Sequence, residues 1–194
     1  MLESLPSMQS ENLILASASP RRKMLLTLLG IPFQVVPSSF NEDRHEGEDP
    51  LAYVQRLALG KGQEVLPGED ANVLSADTVV VVDGELLGKP ADVTEARSFL
   101  ERMRGRSHSV FTAVALRQGQ EALRLTYCRS AVPMREYSER EIAHYLESGD
   151  WKDKAGGYAV QHPDFHPCDQ VDGCYANVMG LPLCHLANLL DSAG

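Results

Sequence analysis

The chain lacks the features that would mark a membrane protein or a nucleic-acid-binding protein. It has no run of the roughly 18 to 20 apolar residues that a membrane-spanning helix needs. Its 194 residues include 18 lysines and arginines against 27 aspartates and glutamates, a formal net charge of -9. Nucleic-acid binding needs clustered basic residues with aromatics among them, and only 6% of the chain is aromatic. A small anionic ligand stays compatible with this composition, because a local pocket can be positive on an acidic protein.

Cysteine is scarce, and its spacing excludes the common disulfide and zinc frameworks. The four cysteines form no CxxC pair: Cys128, Cys168, Cys174 and Cys184. We therefore expect a reduced, cytoplasmic chain. One cluster matches no common zinc motif, so a polar loop is the favoured interpretation: His162, His166, Cys168 and Cys174. Residues 1–11 lack the basic start and apolar run of a secretory signal, and we predict a short, loosely ordered leader to one domain over residues 1–194.

Apolar runs alternate with helix-period stretches, which predicts an α/β fold with a mixed sheet. Strands are predicted over residues 13–16, 33–36, 73–82, 109–117 and 122–134. Helices are predicted over residues 20–29, 50 to about 66, 93–104, 138 to about 148, and 181–190. Asp83-Gly84 is predicted to be a hairpin turn. Residues 153–161 are predicted to be a glycine-bearing loop that enters a strand.

Two arginines stand at an unexpected place, the start of the first predicted helix. Ser19 has the character of a helix N-cap and Pro20 that of the first helical residue. Arg21 and Arg22 then fall in the first turn, where the helix dipole favours anions. We infer that a strongly negative ligand binds there.

Two charged residues lie in apolar surroundings. Asp77 interrupts the run from Val73 to Val82, and a buried carboxylate must be paired, hydrogen-bonded or bound to a cation. A structural aspartate that caps a neighbouring loop is an equal alternative. Lys61 lies four residues after Leu57 on the apolar helix face, where it either extends to solvent or points inward as a phosphate ligand.

Further candidates lie in loops, where an exposed polar side chain is the ordinary alternative. Lys89 stands between a glycine and a proline, and Lys154 precedes two glycines that can form an anion-binding nest. Gln161 offers the donor and acceptor that a nucleobase edge requires. Glu42 and Asp43 follow a predicted strand and supply the hard oxygen ligands that Mg²⁺ or Mn²⁺ prefers.

Taken together, these residues describe a site for a polyphosphate with a divalent cation. The sequence contains neither the P-loop pattern GxxxxGK[ST] nor GxGxxG. Neither of those two common phosphate-binding solutions is in use here.

Six separated motifs resemble the Maf nucleotide pyrophosphatases, in the order and at the spacing of that family. They span about residues 12–190: SASPRR (17–22), ADT (76–78), GKP (88–90), GRSHSV (105–110), DKAGGY (153–158) with Gln161, and NVMGLPL (177–183). The resemblance implies an elongated, two-lobed α/β fold around a mixed sheet with a central cleft, similar to the inosine triphosphate pyrophosphatases. It also implies a homodimer.

The implied reaction is hydrolysis of a nucleoside triphosphate between the α and β phosphates. The resemblance gives Asp77 the role of general base, and Lys61 and Lys89 the role of stabilising the departing pyrophosphate. Glu42 and Asp77 would hold Mg²⁺ or Mn²⁺. The implied nucleotide-binding residues are Ser17, Ser19, Arg21, Arg22, Thr78, Lys154 and Gln161.

Within the family, Arg21, Thr78 and Gln161 match the branch that acts on dTTP and UTP. The chain departs from that pattern at Gly157, where alanine is usual, and at His162-Pro163, where glycine is more common. Two alternatives remain: a pyrophosphatase for modified purines such as 7-methylguanosine triphosphate, and a nucleotide-sensing regulator of cell division with vestigial activity.

Overall fold

A computed structural model describes residues 12–66 and 71–191, and this part of the chain forms two compact units. The first unit takes the described residues up to Asp77, residues Thr112–Cys128 and those from Gly180 onward. The second takes Thr78–Phe111 and Arg129–Met179. The leader predicted over residues 1–11 lies outside the described residues.

The strands form one mixed sheet, as the sequence predicts. Their bounds are β1 (Leu13–Leu15), β2 (Phe33–Val35), β3 (Asn72–Val82), β4 (Glu85–Leu87), β5 (Ser107–Arg117) and β6 (Arg124–Pro133). The order is β2-β1-β3-β5-β6, and β4 pairs with β3 off this path. β1 pairs in parallel with β2 and β3, whereas β3 and β4 are antiparallel.

The helix bounds are α1 (Pro20–Thr27), α2 (Pro50–Glu64), α3 (Val93–Met103), α4 (Glu139–Glu147), α5 (Tyr175–Met179) and α6 (Leu183–Asp191). Helices α1, α2 and α4 begin at the residues that the capping signals predict, whereas the last helix begins two residues later than predicted and one short helix was not predicted. Asp49 caps α2, and Ser138 with Glu141 forms the predicted capping box of α4. Within the described ranges, no helix has both the length and the apolar character needed to cross a membrane.

Each unit has its own core of fully buried side chains. That of the first unit includes Leu15, Leu26, Leu57, Leu74, Leu116 and Leu186. That of the second includes Leu100, Met103, Tyr137, Ile142 and Tyr145. Each buried leucine contributes about 2 kcal/mol to the free energy of unfolding.

Turn chemistry decides where the predictions hold and where they fail. Asp83 and Gly84 have φ values of 52° and 81°, and they form the predicted hairpin turn between β3 and β4. The strand predicted after residues 153–161 is wrong. Ala155–Gly157 is a short 3₁₀ turn in which Gly156 and Gly157 have φ values of 71° and 67°, and the described residues that follow form no strand. A left-handed backbone of this kind interrupts extended structure.

Candidate active site

The start of α1 is built as its sequence predicts. The Ser19 hydroxyl accepts a hydrogen bond from the Arg22 backbone N–H over 3.4 Å, and Pro20 is the first helical residue. The Ser17 hydroxyl accepts from the Ser19 N–H over 3.3 Å and from the Arg22 guanidinium over 3.1 Å. Arg22 Nε also donates to the Gly180 carbonyl over 2.9 Å. Two protein oxygens therefore hold the Arg22 guanidinium in place.

Arg22 lies in the electrostatic field of the other predicted site residues of the first unit. Burial lowers the pKa of Arg22, and the positive charge of Arg21 lowers it further. The carboxylates of Asp77 and Glu42 oppose both effects. The structure thus brings two cations and two anions together at the start of α1.

Lys61 contacts both carboxylates. Its Nζ lies 2.5 Å from Asp77 Oδ1 and 2.7 Å from Glu42 Oε1. Lys61 and Asp77 are both 7% exposed, whereas the Glu42 side chain is 44% exposed. The pairing offsets the cost of burying each charge. Lys61 therefore points inward instead of extending to solvent, and Asp77 pairs with Lys61 instead of capping a loop.

Close packing of α2 on β3 places Lys61 against Asp77. The Ser75 hydroxyl on β3 donates to the Ala58 carbonyl on α2 over 2.7 Å. Gly60 and Gly62 flank Lys61, and each leaves room for a neighbour. A Cβ on Gly60 would meet the Phe40 ring, and a Cβ on Gly62 would lie 2.7 Å from Ser75 Oγ.

These two glycines are a signal that the sequence analysis missed. Glycine in a helix interior costs about 1 kcal/mol relative to alanine. Gly60 and Gly62 lie on either side of Lys61 in the 15-residue helix α2. Two glycines so close together in a helix indicate that neighbouring residues pack tightly against the helix at these positions. Here the neighbours are Phe40 at Gly60, and Ser75 and Leu123 at Gly62.

The residues present fit a divalent cation. Glu42 Oε1 lies 2.7 Å and Asp77 Oδ1 lies 2.5 Å from the same nitrogen atom of Lys61, so these two carboxylate oxygens are close to each other. Mg²⁺ is usually held by one or two carboxylates, with water and phosphate oxygens completing the shell. Across residues 12–66 and 71–191, no group of three or more His, Cys, Asp or Glu residues forms a ready metal cage.

The other predicted residues belong to the second unit. Thr78 follows Asp77 on β3 and is partly buried, and Gln161 is exposed. Lys89 is exposed in the turn after β4, and the carbonyl of Gly88 beside it accepts a hydrogen bond from the Gly156 N–H over 2.9 Å. That bond ties the GKP and DKAGGY motifs together. The Lys154 side chain pairs with Asp150 over 2.8 Å.

His108 and Tyr158 form a buried pair. Each lies within one of the six motifs, but neither was predicted to be a site residue. His108 Nε2 lies 2.8 Å from the Tyr158 hydroxyl, and the rings meet edge to face. Burial lowers the pKa of His108 to about 4, so its imidazole is neutral near pH 7. This contact anchors the residue that ends the DKAGGY motif.

With this geometry in place, a comparison with known protein families decides the family. The family model described as "Maf-like protein" matches residues 12–193. The chain belongs to the Maf family. The match covers every residue of the candidate site.

Curated Maf relatives are similar over nearly the whole chain. A protein of Syntrophus aciditrophicus named dTTP/UTP pyrophosphatase is 47% identical, over 96% of this chain and 92% of its own length. A protein of Thermomicrobium roseum with the same name is 45% identical, over 94% of this chain and 84% of its own length. The Staphylococcus aureus Ham1 protein matches with a TM-score of 0.54 and 9% identity, covering 95% of this chain and 100% of that one. It shows a shared fold.

The two departures from the Maf pattern have local explanations. A Cβ on Gly157 would lie 3.2 Å from Pro90 Cγ, at a left-handed φ that L side chains rarely adopt. His162 packs edge to face on Tyr145, and its Nδ1 accepts from the backbone N–H of Phe165 over 3.0 Å. Its ring is thus used to fold the loop that follows Gln161.

Proposed function

We propose that this Maf protein hydrolyses dTTP and UTP to the nucleoside monophosphate and pyrophosphate. The observation that carries the proposal is the Lys61 ammonium between the carboxylates of Asp77 and Glu42, in the electrostatic field of Arg22. The names of the relatives from Syntrophus aciditrophicus and Thermomicrobium roseum support the same reaction and the same two substrates.

Asp77 is the proposed general base. Its Oδ1 is fixed by the Lys61 ammonium, and the carboxylate has a second oxygen with which to orient a water molecule. That water attacks the α-phosphorus, and Asp77 takes its proton. The bond between the α-phosphorus and the bridging oxygen breaks, and pyrophosphate leaves with the bonding electron pair.

The cations of the first unit supply the charge that a triphosphate needs. Phosphoryl transfer depends mainly on positioning and on neutralising negative charge. Lys61 offers three N–H donors, two of which the carboxylates occupy in this structure. Arg21 lies at the N-terminus of α1, where the helix dipole adds to its attraction for phosphate. Ser17 and Ser19 hold Arg22 beside it.

Glu42 and Asp77 would hold Mg²⁺ or Mn²⁺ together with phosphate oxygens. A divalent cation bound there would neutralise charge on the triphosphate and polarise a phosphoryl oxygen. The two carboxylates are the hard ligands that such a cation prefers.

The roles of the second-unit residues stay predictions that rest on the family resemblance. Lys89 is proposed to stabilise the departing pyrophosphate, Lys154 to bind phosphate, and Thr78 and Gln161 to contact the base. The exposure of Lys89 and Gln161 leaves both side chains accessible to a ligand. A homodimer is proposed on the same basis, and a cytoplasmic location is proposed because four free cysteines fit a reducing compartment.

A substrate panel tests this function. Purified protein is incubated with dTTP, UTP, CTP and 7-methylguanosine triphosphate, each with Mg²⁺ and with Mn²⁺, and released pyrophosphate is quantified without any partner protein. We expect the fastest release from dTTP and UTP. Preference for 7-methylguanosine triphosphate would favour the modified-purine alternative, and binding without release would favour the sensor.

A further inference from the structure

Glu42 lies in a loop whose backbone is held in part by side chains outside the loop. The described stretch 36–49 contains no helix or strand. The Glu42 side chain is 44% exposed, yet its carboxylate lies 2.7 Å from Lys61 Nζ. An exposed glutamate on a loop without other contacts would lose side-chain and backbone conformational entropy on forming that contact, which would weaken it.

Two side chains of α2 hold the backbone of this loop. The Tyr53 hydroxyl donates to the Glu42 carbonyl over 2.7 Å, and Arg56 Nη2 donates to the Asp43 carbonyl over 2.9 Å. The Arg56 guanidinium also lies 5.4 Å from the centre of the Tyr53 ring. Consecutive carbonyls are thus fixed by neighbouring side chains of the helix that carries Lys61.

Glu48 keeps the Arg56 guanidinium in place. Its carboxylate accepts from Arg56 Nε over 2.7 Å and from Nη2 over 2.8 Å, a two-point contact that fixes the plane of the guanidinium. Arg56 lowers the pKa of Glu48 to about 2. The contact therefore persists throughout the pH range in which a phosphohydrolase is assayed.

We propose that Tyr53, Arg56 and Glu48 form a clamp that positions the Glu42 carboxylate to bind a divalent cation with Asp77. The clamp acts through the backbone carbonyls of residues 42 and 43. Lys61, farther along the same helix, contacts the Glu42 carboxylate directly. The positions of both Lys61 and Glu42 are thereby fixed by the helix α2. The proposal rests on the proposed function, because it gives Glu42 its role in that site.

The test measures Mn²⁺ binding without nucleotide, by titration calorimetry on the full chain, and pyrophosphate release as a function of Mn²⁺ concentration. Tyr53→Phe removes one hydrogen bond and keeps the ring, and Arg56→Gln removes the guanidinium. We expect each to weaken Mn²⁺ binding by about 10- to 100-fold, as loss of supporting contacts around metal ligands does. The rate at saturating Mn²⁺ should stay within about twofold of wild type.

Three further variants separate positioning from general stability. Arg102→Gln removes an arginine–glutamate ion pair, with Glu85, in the second unit, and it should leave Mn²⁺ binding unchanged. In a Glu42→Gln background, Arg56→Gln should cause no further loss, because the carboxylate that the clamp positions is already gone. Arg56→Lys should restore only part of the affinity, since an ammonium cannot reproduce the two-point contact.

The proposal is overturned if wild type binds no Mn²⁺, if folded Tyr53→Phe and Arg56→Gln bind it as wild type does, or if Arg56→Gln has its full effect in the Glu42→Gln background. Where Arg56→Gln does not fold, Tyr53→Phe decides. The calorimetry needs no substrate. A wild-type protein whose Mn²⁺ binding depends on the clamp but that cleaves neither dTTP nor UTP would contradict the proposed function alone.

Discussion

Lys61 and Asp77, sixteen residues apart in sequence, form a buried ion pair in which Nζ and Oδ1 are separated by 2.5 Å. The same nitrogen contacts Glu42. One cation therefore compensates two anions, and each member of this group can be removed singly to learn what it does.

Replacing Lys61 by glutamine should remove the ammonium group that contacts both Asp77 and Glu42. Removing one partner of a buried ion pair costs about 3 to 5 kcal/mol, and we expect a loss near the lower figure because Glu42 is partly exposed. Mn²⁺ should then raise the melting temperature of Lys61→Gln more than that of wild type, because it supplies the missing charge. Thermal melts with and without Mn²⁺ measure both effects. Lys152→Gln, a change at an exposed lysine, is the control, and an equal Mn²⁺ response in all three proteins would contradict the interpretation.

Replacing Arg21 and replacing Arg22 by alanine should have different effects on the melting temperature. The Arg22 guanidinium bonds the Gly180 carbonyl and the Ser17 hydroxyl, so Arg22→Ala should lower the melting temperature as well as substrate affinity. Arg21→Ala should raise KM for dTTP by about 10- to 100-fold, the value of a charge-assisted hydrogen bond, and this effect should exceed its effect on stability. Steady-state kinetics and thermal melts on both variants check this. An unchanged KM with a lowered melting temperature would give Arg21 a structural role.

Gly62→Ala should destabilise the protein, although alanine is the better helix former. The new Cβ would lie 2.7 Å from Ser75 Oγ, which is buried and bonded to the Ala58 carbonyl. We expect a loss of about 1 to 2 kcal/mol in the free energy of unfolding by denaturant. In a Ser75→Ala background the loss should be smaller, because only the flexible Leu123 side chain, whose Cδ2 would lie 3.0 Å from the new Cβ, must then shift. Gly88→Ala, where a Cβ meets open space, is the matched control.

His108 should make stability fall with acid in a defined window. Burial lowers its pKa from about 6.5 to about 4, so between these values the unfolded chain binds a proton that the folded chain does not. Stability is then complete above pH 6.5 and is lost as the pH falls towards 4, by on the order of a few kcal/mol. Denaturation of wild type and His108→Gln at pH 7 and pH 5 measures the difference. Parallel curves would contradict the assignment, and His144→Gln, at an exposed histidine, is the control.

The starts of α1 and α2 and the turn between β3 and β4 were predictable because each is encoded locally. Ser19-Pro20 and Asp49-Pro50 place caps and first turns, and Asp83-Gly84 places a hairpin, in all cases through the conformational preferences of two adjacent residues. The bounds of β4 and the existence of α5 were not predicted. The five residues of α5 are too few for a helical hydrophobic period to be visible.

For the site, residue types were predictable and partnerships were not. The sequence marks Asp77 and Lys61 as charges in apolar surroundings, which requires a partner without naming one. That they pair with each other follows from the register of α2 on β3, which the Ser75–Ala58 hydrogen bond and Gly62 determine. The contact of Tyr53 with the Glu42 carbonyl depends on a loop path that no local pattern encodes.

The most direct test of the account is pyrophosphate release from dTTP and UTP by Asp77→Asn beside wild type. Asparagine keeps the size of the side chain and cannot accept the proton of the attacking water. We predict a folded protein, by thermal melt, in which the rate falls by about 100- to 10,000-fold. Near-normal release of pyrophosphate by that variant would contradict the account.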